Sequence, residues 1–183
     1  VVQRLLDSPN TIVYAWKLTE CIEMGMEIPL AQRQAFIRPL KDAKTIIVAD
    51  GVLLRTLKHW LPNKRLLSLG MALSEMEKIR KKLTYKDYYF IQSRAYHANF
   101  TQALPYYTEL KKTIGCNINI DLQHLGQSIT DIKLPASYTD AAERKTKRIK
   151  ALLQNKKIQR IVTESLEDSK LLSQATSLPV VYL

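Results

Sequence analysis

Met71-Ala-Leu-Ser-Glu-Met-Glu-Lys-Ile-Arg-Lys-Lys-Leu-Thr-Tyr-Lys-Asp-Tyr-Tyr-Phe-Ile-Gln-Ser-Arg-Ala-Tyr-His-Ala-Asn-Phe-Thr-Gln-Ala-Leu-Pro-Tyr-Tyr-Thr-Glu-Leu-Lys-Lys-Thr-Ile114 is a run of 44 residues with no glycine and one proline, Pro105. Glycine is the ordinary residue most costly to a helix after proline, so its absence over this length favours helix. Leu73, Met76, Ile79 and Leu83 recur at spacings of three and four, as on one face of an amphipathic helix. Thr84 to Asp87 reads as a break or cap. Beyond it Tyr89, Tyr96, Phe100, Ala103, Tyr107, Leu110 and Ile114 continue at spacings of three, four or seven. One helix from Tyr88 to Ile114 would span about 40 Å at the usual rise. Pro105 removes a backbone donor and crowds the preceding turn, which predicts a kink or split near Thr101.

The segments on either side both alternate strand and helix. In the first, Thr11-Ile-Val-Tyr-Ala-Trp16 follows the turn residues Ser8-Pro9-Asn10 and reads as a strand. A helix is expected from Leu30 to Lys41. Thr45-Ile-Ile-Val-Ala49 is a short apolar run of the kind buried in a parallel sheet, and Asp50-Gly51 ends it. A helix carrying Val52, Leu53, Leu57 and Trp60 then leads to a strand over Arg65–Leu69, closed by Gly70. In the second segment, Cys116–Asp121 alternates like a strand and Leu122–Ala136 reads as irregular. Asp140 and Glu143 have the spacing of a capping box for a helix to Asn155. Ile158–Thr163 is a strand, Ser165 caps a helix to Thr176, and Pro179–Leu183 is a last strand. The expected architecture is α/β: a lobe over residues 1–69, bridging helices over 70–114, and a lobe over 115–183, each lobe with a mainly parallel sheet.

Composition narrows the function classes. The chain has 183 residues, 46% hydrophobic and 25% charged, which fits a folded unit or two small lobes sharing a core. No apolar run reaches the ~18 residues of a membrane span, and Val1-Val2-Gln3-Arg4 lacks the layout of a signal peptide. Cys21 and Cys116 form no CxxC pair, and spacing leaves both free thiols and a bridge open. The net charge is +11, from 28 Lys and Arg against 17 Asp and Glu. Eight of the positive residues, Arg144, Lys145, Lys147, Arg148, Lys150, Lys156, Lys157 and Arg160, fall within 17 residues that hold no acid. Such a face suits a nucleic acid or another polyanion, yet Ile149, Leu152 and Leu153 give the same stretch the pattern of a helix covering a sheet. No aromatic residues interleave with these charges as stacking platforms. The motifs GxxxxGK, GxGxxG, HExxH and GxSxG are all missing. Glu164 and Glu167 are spaced for acid–base work, but Glu167 and Asp168 also suit the N-terminal dipole of their helix. The expectation is a noncatalytic protein.

Three local stretches carry a family resemblance. They are Asp42-Ala-Lys-Thr-Ile-Ile-Val-Ala-Asp50-Gly51-Val-Leu-Leu54, then Tyr96-His-Ala-Asn99-Phe100 with Tyr107 and Leu110, and last Ile161-Val-Thr-Glu164-Ser165 through Ala175 with Leu178-Pro-Val-Val-Tyr182. In order and spacing they resemble the metal-binding solute-binding proteins of bacterial zinc and manganese ABC importers, the ZnuA/TroA-like cluster. The resemblance implies an exported protein, periplasmic or on the cell surface, that captures zinc or manganese between two lobes and delivers it to a membrane permease. It also implies histidine ligands, and here the chain departs from the pattern. Gly25-Met-Glu27-Ile-Pro29 and Arg65–Gly70, which stand where the family carries histidines, hold none, and Leu183 falls where a final acidic ligand would follow. Each lobe reads one strand–helix unit short.

The candidate metal residues are therefore few. His124 and Asp121 follow a strand, where open α/β sheets place ligand-binding groups. Glu164 ends another strand and is similar to a characteristic glutamate of the family that is not necessarily a ligand, and a loop or helix-capping carboxylate is the favoured reading. His97 and His59 lie on helices, where a surface or packing role is the favoured reading over a metal ligand. The expected function is a binding protein of the importer type in which metal capture is weak or lost, and the competing reading is a basic α/β module for nucleic acid.

Overall fold

The computed structural model describes residues 15–124 and 139–183. The chain is an α/β protein of two small lobes, each built on a parallel sheet. In the first lobe α1 (Trp16–Glu23) and α2 (Leu30–Ile37) precede β1 (Thr45–Val48), α3 (Gly51–Trp60) and β2 (Arg65–Ser68). β1 and β2 pair from Thr45 opposite Arg65 to Val48 opposite Ser68. Asp50 starts α3 by accepting hydrogen bonds from the Val52 and Leu53 amides at 2.8 and 3.0 Å, satisfying two of the donors a helix start leaves open. Leu53, Leu54 and Leu57 then turn one face of α3 onto Ile46, Val48 and Leu66.

After β2 the chain runs through α4 (Leu69–Glu75) and α5 (Glu77–Arg80) to β3 (Asp87–Phe90), then α6 (Ser93–Ala98), α7 (Phe100–Ile114), β4 (Asn117–Ile118) and α8 (Ile120–His124). The remaining described elements are α9 (Thr139–Leu153), β5 (Arg160–Thr163), α10 (Leu166–Ala175) and β6 (Val180–Tyr182). The second sheet has the order β4-β3-β5-β6, all parallel. Chain order runs outward from β3 to β4 on one side and to β5 and β6 on the other, so the connections diverge between β3 and β5.

The segment joining the lobes is mostly helical, as expected, but it is not one long helix. Its centre, Asp87–Phe90, is an inner strand of the second sheet. The physical reason is burial on both faces: Tyr88 and Phe90 pack with Ile149, Ile161 and Leu172, while Tyr89 and Ile91 pack with Tyr96, Tyr107 and Val162. That alternation is the two-residue period of a strand. The helix expected through Leu73, Met76, Ile79 and Leu83 breaks at Met76, whose ψ of 122° is extended. The second break falls at Asn99, two residues before Thr101, and Pro105 is accommodated inside α7. Gly115, at φ 75°, closes α7 in the left-handed conformation that glycine tolerates best.

Two further expectations change. Residues 1–14 lie outside the described part, but Trp16, expected to end a strand, opens α1. The strand expected over Cys116–Asp121 is cut to Asn117–Ile118, because Asn119 turns aside and its side-chain oxygen accepts the Ile91 amide at 2.9 Å. The irregular stretch after it falls largely outside the described residues, as does the capping side chain of Asp140. Cys21 and Cys116 are both free thiols, the second buried.

Candidate functional site

Parallel strands deliver their C-terminal ends to one edge of a sheet, and each end feeds a helix whose first amides point back toward that edge. In the second sheet the divergence of connections puts this crevice between β3 and β5. Glu164, the residue after β5, fills it. Its amide bonds to the Phe90 carbonyl at 3.3 Å, and its carboxylate is 5% exposed. Oε1 accepts from the Tyr89 hydroxyl at 2.7 Å and the Tyr107 hydroxyl at 2.5 Å. Oε2 accepts from the Gln92 amide at 3.0 Å. Two neighbouring bonds fix the loop after β3: Asn119 holds the Ile91 amide, and the Ser93 hydroxyl donates to Gln123 at 2.8 Å.

The first lobe closes over the same place. Gly70, in the first turn of α4, is so near the carboxylate that a Cβ on it would lie 2.0 Å from Glu164 Cδ. Gly51, at the start of α3, is equally close to the Arg94–Ala95 backbone, where a Cβ would meet the Arg94 carbonyl carbon at 2.4 Å. Both glycines follow strands of the first sheet, and both meet residues that follow strands of the second. The C-terminal edges of the two sheets therefore face each other across a closed seam. Met71 and Ala72 of α4 join the core of the second lobe, beside Tyr89, Tyr96, Tyr107 and Leu110. Ser74 ties α4 to α7 through the Tyr106 hydroxyl at 2.6 Å, and Lys58 of α3 donates to the buried Asn99 at 2.6 Å.

Electrostatically the crevice is unusual. Burial pushes the Glu164 carboxyl up to about 7; the bonds from Tyr107, the Gln92 amide and Tyr89 pull it back, and the like charge of Asp168 adds to the rise. No lysine, arginine or histidine bonds to Glu164 among the described residues. Burial, followed by the charge of Glu164, holds the Tyr89 and Tyr107 hydroxyls well above the usual tyrosine range. Both therefore stay protonated and act as donors. Tyr106 is pushed up to about 12, chiefly by burial.

Among the described side chains, the residues singled out from sequence do not assemble. His59 and His97 are exposed on α3 and α6, the latter edge-on to Tyr96, and Asp121 is exposed in the first turn of α8. The side chain of His124 lies outside the described residues. Among those described, no three His, Cys, Asp or Glu side chains come together as a metal site would require. The donor set around Glu164 does not fit zinc or manganese: its other members are two protonated hydroxyls and an amide, which give hydrogens to the carboxylate and offer no ligand set to a cation. Tyr89, Tyr107, Gln92 and Gly70 were not legible as partners of Glu164. The two tyrosines read as one helix stripe, and Gly70 as a strand terminator.

No model of a known protein family matches this sequence, and no curated protein is significantly similar to it.

Proposed function

We propose that this chain is a noncatalytic binding protein of the solute-binding type, built to hold a ligand between two α/β lobes, with zinc or manganese capture weak or lost. One observation carries the reading: the C-terminal edges of two parallel sheets face each other, with Gly51 and Gly70 on one side and Arg94–Ala95 and Glu164 on the other. This is where open α/β sheets gather helix N-termini and strand ends around ligands. The resemblance to the zinc and manganese importers supports the same location and adds an exported protein that docks on a membrane permease. The poor fit of Glu164 to a metal argues for a different small ligand. Native mass spectrometry with zinc, manganese and mixed small-solute pools tests it. Stoichiometric binding that protects the amides of residues 69–75 and 92–95 from hydrogen exchange supports the proposal. Binding of nothing but polyanions, with salt sensitivity, sinks it.

A second reading draws on α9. Lys147, Arg148 and Lys150 are exposed on its outer face, Ile149 is buried beneath, and Lys156 and Lys157 are exposed just beyond. A duplex nucleic acid suits that face, and the sign of its test is an affinity that falls steeply as salt rises.

A further inference from the structure

We infer that Glu164 is a rigid contact point between the two lobes, a tyrosine-clamped carboxylate against which only a glycine fits at position 70. Two independent features meet at this one side chain. Its two oxygens are engaged by donors from three places in the second lobe: Tyr89 on β3, Gln92 after β3 and Tyr107 on α7. A carboxylate gripped by three donors has lost most of its rotational freedom, so the side chain presents a fixed surface to whatever lies opposite. What lies opposite is Gly70, two residues after β2 of the first lobe, with Cδ, Oε1 and Oε2 all within 2.4 Å of the position a Cβ would take. Among the residues of α4, Gly70 is thus matched to a rigid partner across the seam. Ser74 anchors that same turn, donating to the Gly70 carbonyl at 2.8 Å and sharing a hydrogen with Tyr106, the neighbour of Tyr107.

The chemistry of the clamp also separates it from a metal site. A ligating carboxylate keeps a lone pair open toward a cation and is joined by other lone-pair donors. Here the groups around the oxygens are donors of hydrogen, and the charged group that acts on Glu164 is Asp168, a carboxylate. The contact stands whether or not a ligand ever enters the seam, so a chain that binds no solute leaves it intact.

A double-mutant cycle on the full chain tests it. Gly70→Ala forces a methyl group into the carboxylate, and Glu164→Ala removes the obstacle. Gly70→Ala is expected to lower the thermal midpoint strongly in the wild-type background and by less than half as much in the Glu164→Ala background. Equal losses in the two backgrounds overturn the inference. Should Gly70→Ala not fold, Glu164→Gln with hydrogen exchange decides. Loss of the clamp is expected to speed exchange of the Gln92 amide and the α4 amides together by at least about tenfold, and unchanged rates on α4 overturn it. Zinc and manganese titrations complete the test. No equivalent of metal that depends on Glu164 is expected, and one equivalent bound by the wild type but lost in Glu164→Gln overturns it.

Discussion

β3 and β5 lie side by side, and each end of the pair buries a carboxylate by a different means. At the N-terminal end Asp87, 2% exposed, receives a bidentate guanidinium: Arg160 Nε at 2.9 Å from Oδ1 and Nη2 at 2.6 Å from Oδ2. The Thr84 amide adds a bond at 2.8 Å, and the hydrogen bond that Arg160 donates to Asp87 raises the affinity of Arg160 for its proton. At the C-terminal end Glu164 has dipoles alone, two hydroxyls and one amide. The difference teaches what each end is for. A formal opposite charge with two-point geometry holds the two strands in register. Dipoles offset the cost of burying a carboxylate less completely, so burial still pushes the Glu164 carboxyl up to about 7.

The comparison breaks most visibly at Arg160. Arg160→Ala strands Asp87 without its counter-charge and is expected to cost about 3 kcal/mol, read from urea denaturation midpoints. Arg160→Lys restores charge but not the fork, and falls between. The next effect is a pH dependence. The folded Glu164 carboxyl titrates at about 7 against an ordinary 4.5. Its contribution to stability is therefore full below about 4.5 and lost as pH rises through about 7, a change of roughly 3 kcal/mol. Glu164→Gln is expected to flatten that slope between pH 5 and 7, while Arg160→Ala leaves it in place. A wild-type midpoint that rises with pH across this window contradicts the assignment. Tyr107→Phe sharpens the contrast by removing one of two hydroxyls on Oε1. It should cost about 1 kcal/mol at pH 8, less at pH 5 where the acid is neutral, and move the Glu164 titration upward as measured by NMR. The smallest effect belongs to the exposed pair of Arg94 with Glu23, which also spans the lobes. Glu23→Gln is expected to change stability by no more than about 0.5 kcal/mol, since solvent screens that pair.

Much of the fold was readable because local patterns were strong. The apolar run at Thr45–Val48 between polar residues, and Ser165 ahead of an apolar helix, each specified an element that forms. Tyr88, Tyr89, Phe90 and Ile91 were harder. Four apolar residues in a row satisfy a helical stripe and a doubly buried strand equally, and the aromatic enrichment that favours a strand was outweighed by the 44 glycine-free residues around it. Glu164 stood out in sequence as a strand-terminal carboxylate. Its surroundings did not, because Gly70, Tyr89, Gln92 and Tyr107 share no spacing with it.

Sequence alone determined the α/β class, the Ser165 cap, the basic face of α9 and the scarcity of histidines, since each depends on residues a few positions apart. Tertiary structure alone decided that the expected bridge supplies an inner strand, that two sheets meet edge to edge, and that a candidate ligand is gripped by tyrosines. Those outcomes rest on contacts such as the 75 residues separating Tyr89 from Glu164. They are settled by which buried groups can satisfy one another once the lobes close, and no local period encodes that choice.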